Sequence, residues 1–420
     1  MNDEFKSGYS RRSFMRSLGA ASVAAASLPA LAAVQGSGAP RIGRRISDPD
    51  ISGLDSFDSP VFISMNENPL GPASSTLEAI AKAAAMGNRY HGDVVQATVN
   101  TALDLFGLRR GYVGLFPGSG GPLNLALASN IGPDRPLVYG DPSYEQGPNV
   151  ADTMGAPKFP VKLTANYAHD VPAMVAATPK AGAYYIVNPN NPTGTMTPKS
   201  DIVWLLKNKP AGSVVIVDEA YHHFSNDESC IDLVAADQDI IVTRTFSKIY
   251  GMAGLRAGLV FAKPAYFQKF RATSVFAPAL ASISITSAAG ANAAMLDKDL
   301  VPLRRKINAD NRETTLEFLT KHGYTVVPGS QTNFFMVDVK RPGGEFQSAM
   351  LDENVAIGRT WASMPTYVRV TVGTKDEMAK FKSAFVKCMD KAPASANGAS
   401  LRYHPALNPS ELHRGELMFS

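Results

Sequence analysis

The residues best suited to chemistry cluster in one run. In TRTFSKIYGMAGLRAG, residues 243–258, Lys248 stands among apolar and glycine residues with no acid, and Arg256 follows eight residues later. A lysine stripped of water has a lowered pKa and becomes a nucleophile. An arginine stays charged and suits a phosphate dianion. Together they ask for a ligand carrying both an aldehyde and a phosphate. Thr245 and Ser247 flank the lysine and offer hydroxyls to the same phosphate.

Further candidates lie where other apolar runs end. Asp218 closes VVIVD, and Tyr221 follows three residues on. A carboxylate buried there needs a partner, because burying it alone costs several kcal/mol. A protonated ring nitrogen is one such partner, and a helix N-cap is the other reading. NPNNPTGT, residues 188–195, offers Asn191 to a ring hydroxyl or is simply a turn. FPGSGG, residues 116–121, leads into the helix-like PLNLALAS. The backbone N–H groups of Ser119, Gly120 and Gly121 would then meet phosphate at a helix N-terminus. Tyr144 in DPSYEQ offers a face for stacking or a core ring, and Arg369 in YVRVTVGT grips a substrate carboxylate or points to solvent. Substrate choice falls to the 62–72 segment with Asn68, to TWASMPT (360–366), and to Arg359, which meets a distal acidic group or caps a strand. His222 and His223 line the cleft or merely start a helix.

The elements that must hold these groups are legible as well. GLFPGSGG, RPLVYGDPSY, AYYIVNPNNPTG, SVVIVDEAY and DIIVTRTFSK are short apolar runs closed by Gly, Pro, Asn or Asp, alternating with helical patterns between about 105 and 260. Such runs read as strands buried on both faces of a parallel, doubly wound sheet. Ligands of such sheets sit beyond the strands' carboxyl ends, where every candidate above lies. From about 298 the pattern changes to a long helix, then YTVVPG, NFFMVDV and YVRVTVGT as strands with a helix between them. The fold class expected is therefore α/β, a large domain with a mainly parallel sheet covered by helices plus a smaller α+β domain. The divisions expected are 1–32, a signal peptide; 33–84, an arm and part of the small domain; 85–297, the large domain; 298–390, the small domain; and 391–420, a linker and tail.

The chain of 420 residues can bury a large core around a cleft between two domains, and a net charge of +4 without a basic block argues against nucleic acid as partner. Two cysteines, Cys230 and Cys388, cannot build a disulfide framework, and no metal site is expected; His404 and His413 are too isolated to form one. SRRSFMRSLGAASVAAASLPALAAVQ has paired arginines, an alanine-rich middle and a small-x-small exit at Ala30-Leu31-Ala32. That order looks like a twin-arginine export signal cleaved near Ala32, giving a periplasmic or secreted protein that uses the twin-arginine machinery. The apolar run from Leu18 to Ala33 falls short of the roughly 20 residues needed to span a bilayer, so no stable membrane anchor is expected.

Taken in order, NENPLGP (66–72), NRYHG (88–92), GSGG (118–121), NPNNPTGT, DEAYHHF (218–224), TRTFSKIYGMAGLRAG and YVRVTVGT resemble the class I/II pyridoxal-phosphate aminotransferases of fold type I. Within them the stretch from about 60 to 385 is most similar to the histidinol-phosphate aminotransferase-like group. The resemblance implies a pyridoxal 5'-phosphate (PLP) enzyme acting on an amino donor and a 2-oxo acid acceptor. It implies that Lys248 carries the cofactor and moves the proton at Cα, and that Asp218 pairs with the ring nitrogen. Tyr221 and Asn191 would contact the ring hydroxyl, and Tyr144 would stack on the ring. Ser119, Gly120, Thr245, Ser247 and Arg256 would hold the phosphate, and Arg369 the substrate α-carboxylate. Tyr90 would reach the phosphate of a neighbouring subunit, which implies a homodimer with shared active sites. Two departures stand out: Gly120 and Gly121 replace residues commonly acidic in the family, and RYHG lacks the usual proline after tyrosine. The same fold also serves decarboxylases and oxidases, and regulators that sense cofactor or amino acid; Lys248 and the absence of a DNA-binding module before the domain favour the transferase.

Overall fold

The computed structural model describes residues 60–273 and 282–391, so the expected signal peptide, most of the arm and the tail lie outside the described residues. Twelve strands are described: β1 (Val61–Ile63), β2 (Val113–Phe116), β3 (Leu137–Asp141), β4 (Lys158–Lys162), β5 (Ala183–Val187), β6 (Val214–Asp218), β7 (Ile240–Thr245), β8 (Gly258–Ala262), β9 (Thr325–Val326), β10 (Phe334–Asp338), β11 (Val355–Ile357) and β12 (Tyr367–Thr371). The central sheet has seven strands in the order β2-β8-β7-β6-β5-β3-β4. All run parallel except β8, which is antiparallel to both β2 and β7. The sheet is thus mainly parallel, as the apolar runs indicate, and β4 and β8 are the strands that those runs do not include.

Every residue of β5, β6, β7 and β8 is buried, which is why these strands read as unbroken apolar runs. The two faces still sort by alternation: Val215 and Val217 of β6 join one core with Val242 and Phe261, while Val214 and Ile216 join the other with Ile241 and Val260. At the edge, β4 alternates exposed and half-buried residues and carries Pro160 between terminal lysines, features that discourage pairing with another chain.

A third core gathers β1, β10, β11 and β12 against the helices Gly343–Asp352 and Lys375–Asp390. Here β12, β10 and β9 form an antiparallel sheet, and β1 pairs in parallel with β11, almost three hundred residues later in the chain. The last of these helices starts with a reciprocal capping box between Thr374 and Glu377, which fixes where β12 hands over to it. Cys230 and Cys388 are free and buried in separate cores, and burial raises both thiol pKa values. Among the described residues no helix is long and apolar enough to cross a membrane, and no His/Cys/Asp/Glu group could hold a metal ion.

Candidate active site

The parallel strands deliver their carboxyl ends to one edge of the sheet, and the antiparallel β8 starts there. Register puts Gly258 between Phe116 of β2 and Thr245 of β7, so Arg256 arrives beside the Gly118–Gly121 turn. The approach is close enough to require glycine. A Cβ on Gly258 would lie 2.5 Å from the carbonyl carbon of Gly118 and 2.6 Å from the nitrogen of Ser119. Gly118 has φ +77°, and a Cβ there would meet Arg256 Nη2 at 2.4 Å. The turn runs directly into the helix Gly120–Ala128. Facing it, Thr245 Oγ1 donates to Ser247 Oγ (2.9 Å) and accepts from the Ser247 N–H (3.1 Å), while Arg256 Nη1 donates to Ala253 O (2.9 Å). Backbone donors, two hydroxyls and an exposed guanidinium thus converge, a donor set suited to a phosphate.

Asp218 ends β6 and is only 4% exposed. Its Oδ1 accepts from Thr243 Oγ1 (2.9 Å) and the Ala220 N–H (3.2 Å), whereas Oδ2 has only a long contact to the Tyr185 hydroxyl (3.5 Å). Burial pushes its pKa up to about 6 despite those donors. The helix N-cap reading fails, because the chain continues from Asp218 into a short 3-10 turn at His222–Phe224 rather than an α-helix. Lys248 is half-buried, with Nζ 3.2 Å from Met65 O and 5.6 Å from the centre of the Tyr221 ring. Burial, aided by the charges of Arg369 and Arg256, lowers its pKa to about 8. Tyr221 is buried; its hydroxyl accepts from Asn66 Nδ2 (3.0 Å) and its ring meets Phe334 edge-on.

Arg369 lies in β12 and is 6% exposed, so the solvent-facing alternative is excluded. Nη1 donates to Asn191 Oδ1 (2.8 Å) and Nη2 to Ser64 O (2.8 Å), while Nε has no partner. Desolvation lowers its pKa to about 10. Asn191 therefore differs from Asn188 and Asn190, whose side chains close the turn on Thr197, Pro142, Ser143 and Thr193. Tyr144 is half-buried within electrostatic reach of Asp218 and Tyr221, and burial pushes its pKa up to about 12.

Asn68, Arg359 and Tyr90 complete the expected set. Asn68 is tied to backbone at both ends, donating to Ile249 O (2.9 Å) and accepting from the Leu70 N–H (3.1 Å). It anchors the 66–71 segment beside Lys248. Arg359 is exposed and ion-paired with Glu145. Tyr90 is 99% exposed and stands outside the cluster. His223 is half-buried against Arg244 and Tyr250, in a network where Arg244 Nε and Nη2 both donate to Glu219 Oε2 (2.9 and 2.8 Å). That buried pair ties the end of β7 to the residue after Asp218.

Residues 61–385 match the family described as aminotransferase class I and II. The chain belongs to that family. The aminotransferase is 32% identical over 341 residues to histidinol-phosphate aminotransferase 1 of Cupriavidus pinatubonensis, covering 78% of this chain and 88% of the relative. It is 30% identical over 326 residues to an aromatic amino acid aminotransferase of Cutibacterium acnes, covering 76% and 90%. The crystal structure of histidinol-phosphate aminotransferase from Sinorhizobium meliloti in complex with PLP has the same fold, with a TM-score of 0.70 over 78% of this chain and 90% of that one at 23% identity. The protein is thus a PLP-dependent, fold type I aminotransferase acting on amino and 2-oxo acids. The residues present fit that cofactor: a glycine turn too close to Gly258 and Arg256 to admit a Cβ, a buried carboxylate with an under-used oxygen, and a lysine of lowered pKa share one sheet edge.

Proposed function

We propose that this aminotransferase holds PLP through Lys248 and binds the α-carboxylate of its amino donor on Arg369. One observation carries the reading. The site buries two opposite charges, Asp218 and Arg369, and neither has an ionic partner among the described residues. A cofactor with a cationic ring and a substrate with a carboxylate would supply both partners.

When bound, PLP supplies an electron-withdrawing ring that stabilises negative charge at the substrate's Cα. The chain supplies the rest. Asp218 would keep the ring nitrogen protonated. Asn191 and Tyr221 would serve the ring hydroxyl, and Tyr144 would stack on the ring. Ser119, Gly120, Thr245, Ser247 and Arg256 would hold the phosphate. With its pKa lowered to about 8, Lys248 has a substantial neutral fraction in mildly alkaline solution and can accept and return the Cα proton.

The domain roles follow the same division: 85–297 binds the cofactor, and 298–390 with 33–84 brings Arg369 to it. Full exposure of Tyr90, with Met65, Leu70 and Met86 also exposed, supports a homodimer in which Tyr90 serves the partner's phosphate. Sedimentation as a monomer would overturn that part. Residues 1–32 direct the protein through the twin-arginine machinery to the periplasm or beyond.

The test is the visible spectrum of the purified mature protein beside Lys248→Ala. The wild type is expected to show a cofactor band that bleaches with an amino acid and returns with a 2-oxo acid, and the variant is expected to lack it. A variant that keeps the band and cycles refutes the assignment of Lys248.

A further inference from the structure

The chain leaving β1 passes Lys248 and turns at Asn66, which is 1% exposed and has φ +55°. Asparagine tolerates that left-handed conformation better than most residues. Every polar group of Asn66 is committed. Its N–H donates to Thr371 Oγ1 (2.9 Å) and its carbonyl accepts from Asn333 Nδ2 (3.0 Å). In the side chain, Oδ1 accepts from Thr371 Oγ1 (3.1 Å) and Nδ2 donates to the Tyr221 hydroxyl (3.0 Å). The residue before it, Met65, accepts from Lys248 Nζ (3.2 Å).

The direction of the bond to Tyr221 decides what that hydroxyl can do. A threonine hydroxyl has one hydrogen. Thr371 Oγ1 already accepts the Asn66 N–H, so its hydrogen goes to Asn66 Oδ1 and the amide nitrogen faces Tyr221. Turned over, the amide would leave the hydrogen of the buried Thr371 without an acceptor among the described residues. Tyr221 is thus an acceptor toward Asn66, and no described residue takes its own proton. Burial raises the Tyr221 pKa and outweighs the lowering by Arg369, the Asn66 bond and Arg359, so the phenol keeps that proton. Asp218 adds to the rise, Tyr144 and Tyr185 are the other titratable neighbours, and Lys248 Nζ lies 5.6 Å from the ring centre.

We infer that Asn66 is a positioning residue that sets the direction of the Tyr221 hydroxyl: by donating to its oxygen, it leaves the phenolic proton for the ring oxygen of the bound cofactor. The inference rests on the reading that Tyr221 serves the ring hydroxyl. A donor to that oxygen stabilises its negative charge once the nitrogen joining Lys248 to the cofactor has lost its proton, which makes that nitrogen less basic. Asn66 is held by Thr371 of β12 and by Asn333 just before β10, so through it the small domain enters this balance.

The test is the pH midpoint at which the visible cofactor band shifts, read in wild type, Asn66→Gly, Tyr221→Phe and the double variant, each checked for a cooperative melt. Glycine adopts the same φ, so the backbone is spared. Asn66→Gly is expected to raise the midpoint by at least about half a pH unit, the scale of one hydrogen bond, and Tyr221→Phe by more. In the Tyr221→Phe background Asn66→Gly is expected to add nothing, because its effect runs through the tyrosine oxygen. An unmoved midpoint in Asn66→Gly, or the same rise in both backgrounds, overturns the inference. Should the glycine variant fail to fold, Asn66→Asp keeps the shape and the φ and replaces it. Its rise is expected to be larger with Tyr221 present than with Tyr221→Phe, and equal rises overturn the inference as well. If Tyr221→Phe itself leaves the midpoint unmoved, the ring-hydroxyl reading fails and the inference falls with it.

Discussion

Asparagine at position 218 should stabilise the cofactor-free protein and destabilise the loaded one. Moving a carboxyl from its ordinary 3.8 to about 6 costs the charged form about 3 kcal/mol, at about 1.4 kcal/mol per pKa step. The cause is burial, so the cost persists at high salt. Because the folded pKa is raised, the contribution to stability is fully present below pH 3.8 and is lost as pH rises through about 6. Asp218→Asn fits the same space: its oxygen still accepts from Thr243 and the Ala220 N–H, and its nitrogen faces the Tyr185 hydroxyl. Without cofactor, the variant should match wild type near pH 4 and exceed it by up to about 3 kcal/mol at pH 8. At about 2 °C per kcal/mol for a large domain, that is a melting point about 6 °C higher. With PLP the order should reverse, since only aspartate offers the ring nitrogen a counter-charge. Paired calorimetric melts at several pH values, with and without cofactor, read all of this. A cofactor-free variant that melts below wild type at pH 8, or a difference independent of pH, would refute the claim that Asp218 stores this cost.

Two further outcomes are expected. Gly258→Ala drives a methyl into the backbone of Gly118 and Ser119, and equilibrium dialysis should show PLP held at least about tenfold more weakly, with about 1–3 kcal/mol lost in urea unfolding; neither effect would mean that the cradle is not rigid. Replacing Arg11 and Arg12 together by lysine should retain the protein on the cytoplasmic side in cell fractionation, and an unchanged distribution would remove the export reading.

Groups at strand ends were legible because their signal is local. Asp218, Lys248 and Asn191 each follow an apolar run within a few residues, and a mainly parallel sheet brings such ends together. What stayed hidden comes from pairings across long sequence separations. Asn66 reaches Tyr221 across 155 positions and Thr371 across 305, and nothing in NENPLGP announces that contact beyond a residue able to adopt positive φ. Glu145 is 214 positions from Arg359, so the arginine's role was open until the fold placed an acid against it. Tyr185 and Thr243, which hold Asp218, looked like ordinary strand residues. The strand β8 escaped too, and a five-residue buried run would in any case not tell its direction.

That direction has a consequence for how the protein matures. β2, the earliest strand of the central sheet in the chain, pairs only with β8, the latest, among the described strands. A chain emerging from its N-terminus therefore carries β2 without a sheet partner until residue 262 is made. The Gly118–Gly121 turn hangs from β2, and Arg256 leads into β8. Half of the phosphate seat thus waits for the other half, and a nascent chain has no place for cofactor until its first and last sheet strands meet. Cofactor capture then acts as a latch on the closed sheet, favouring the completed form over any intermediate in which β2 is still loose.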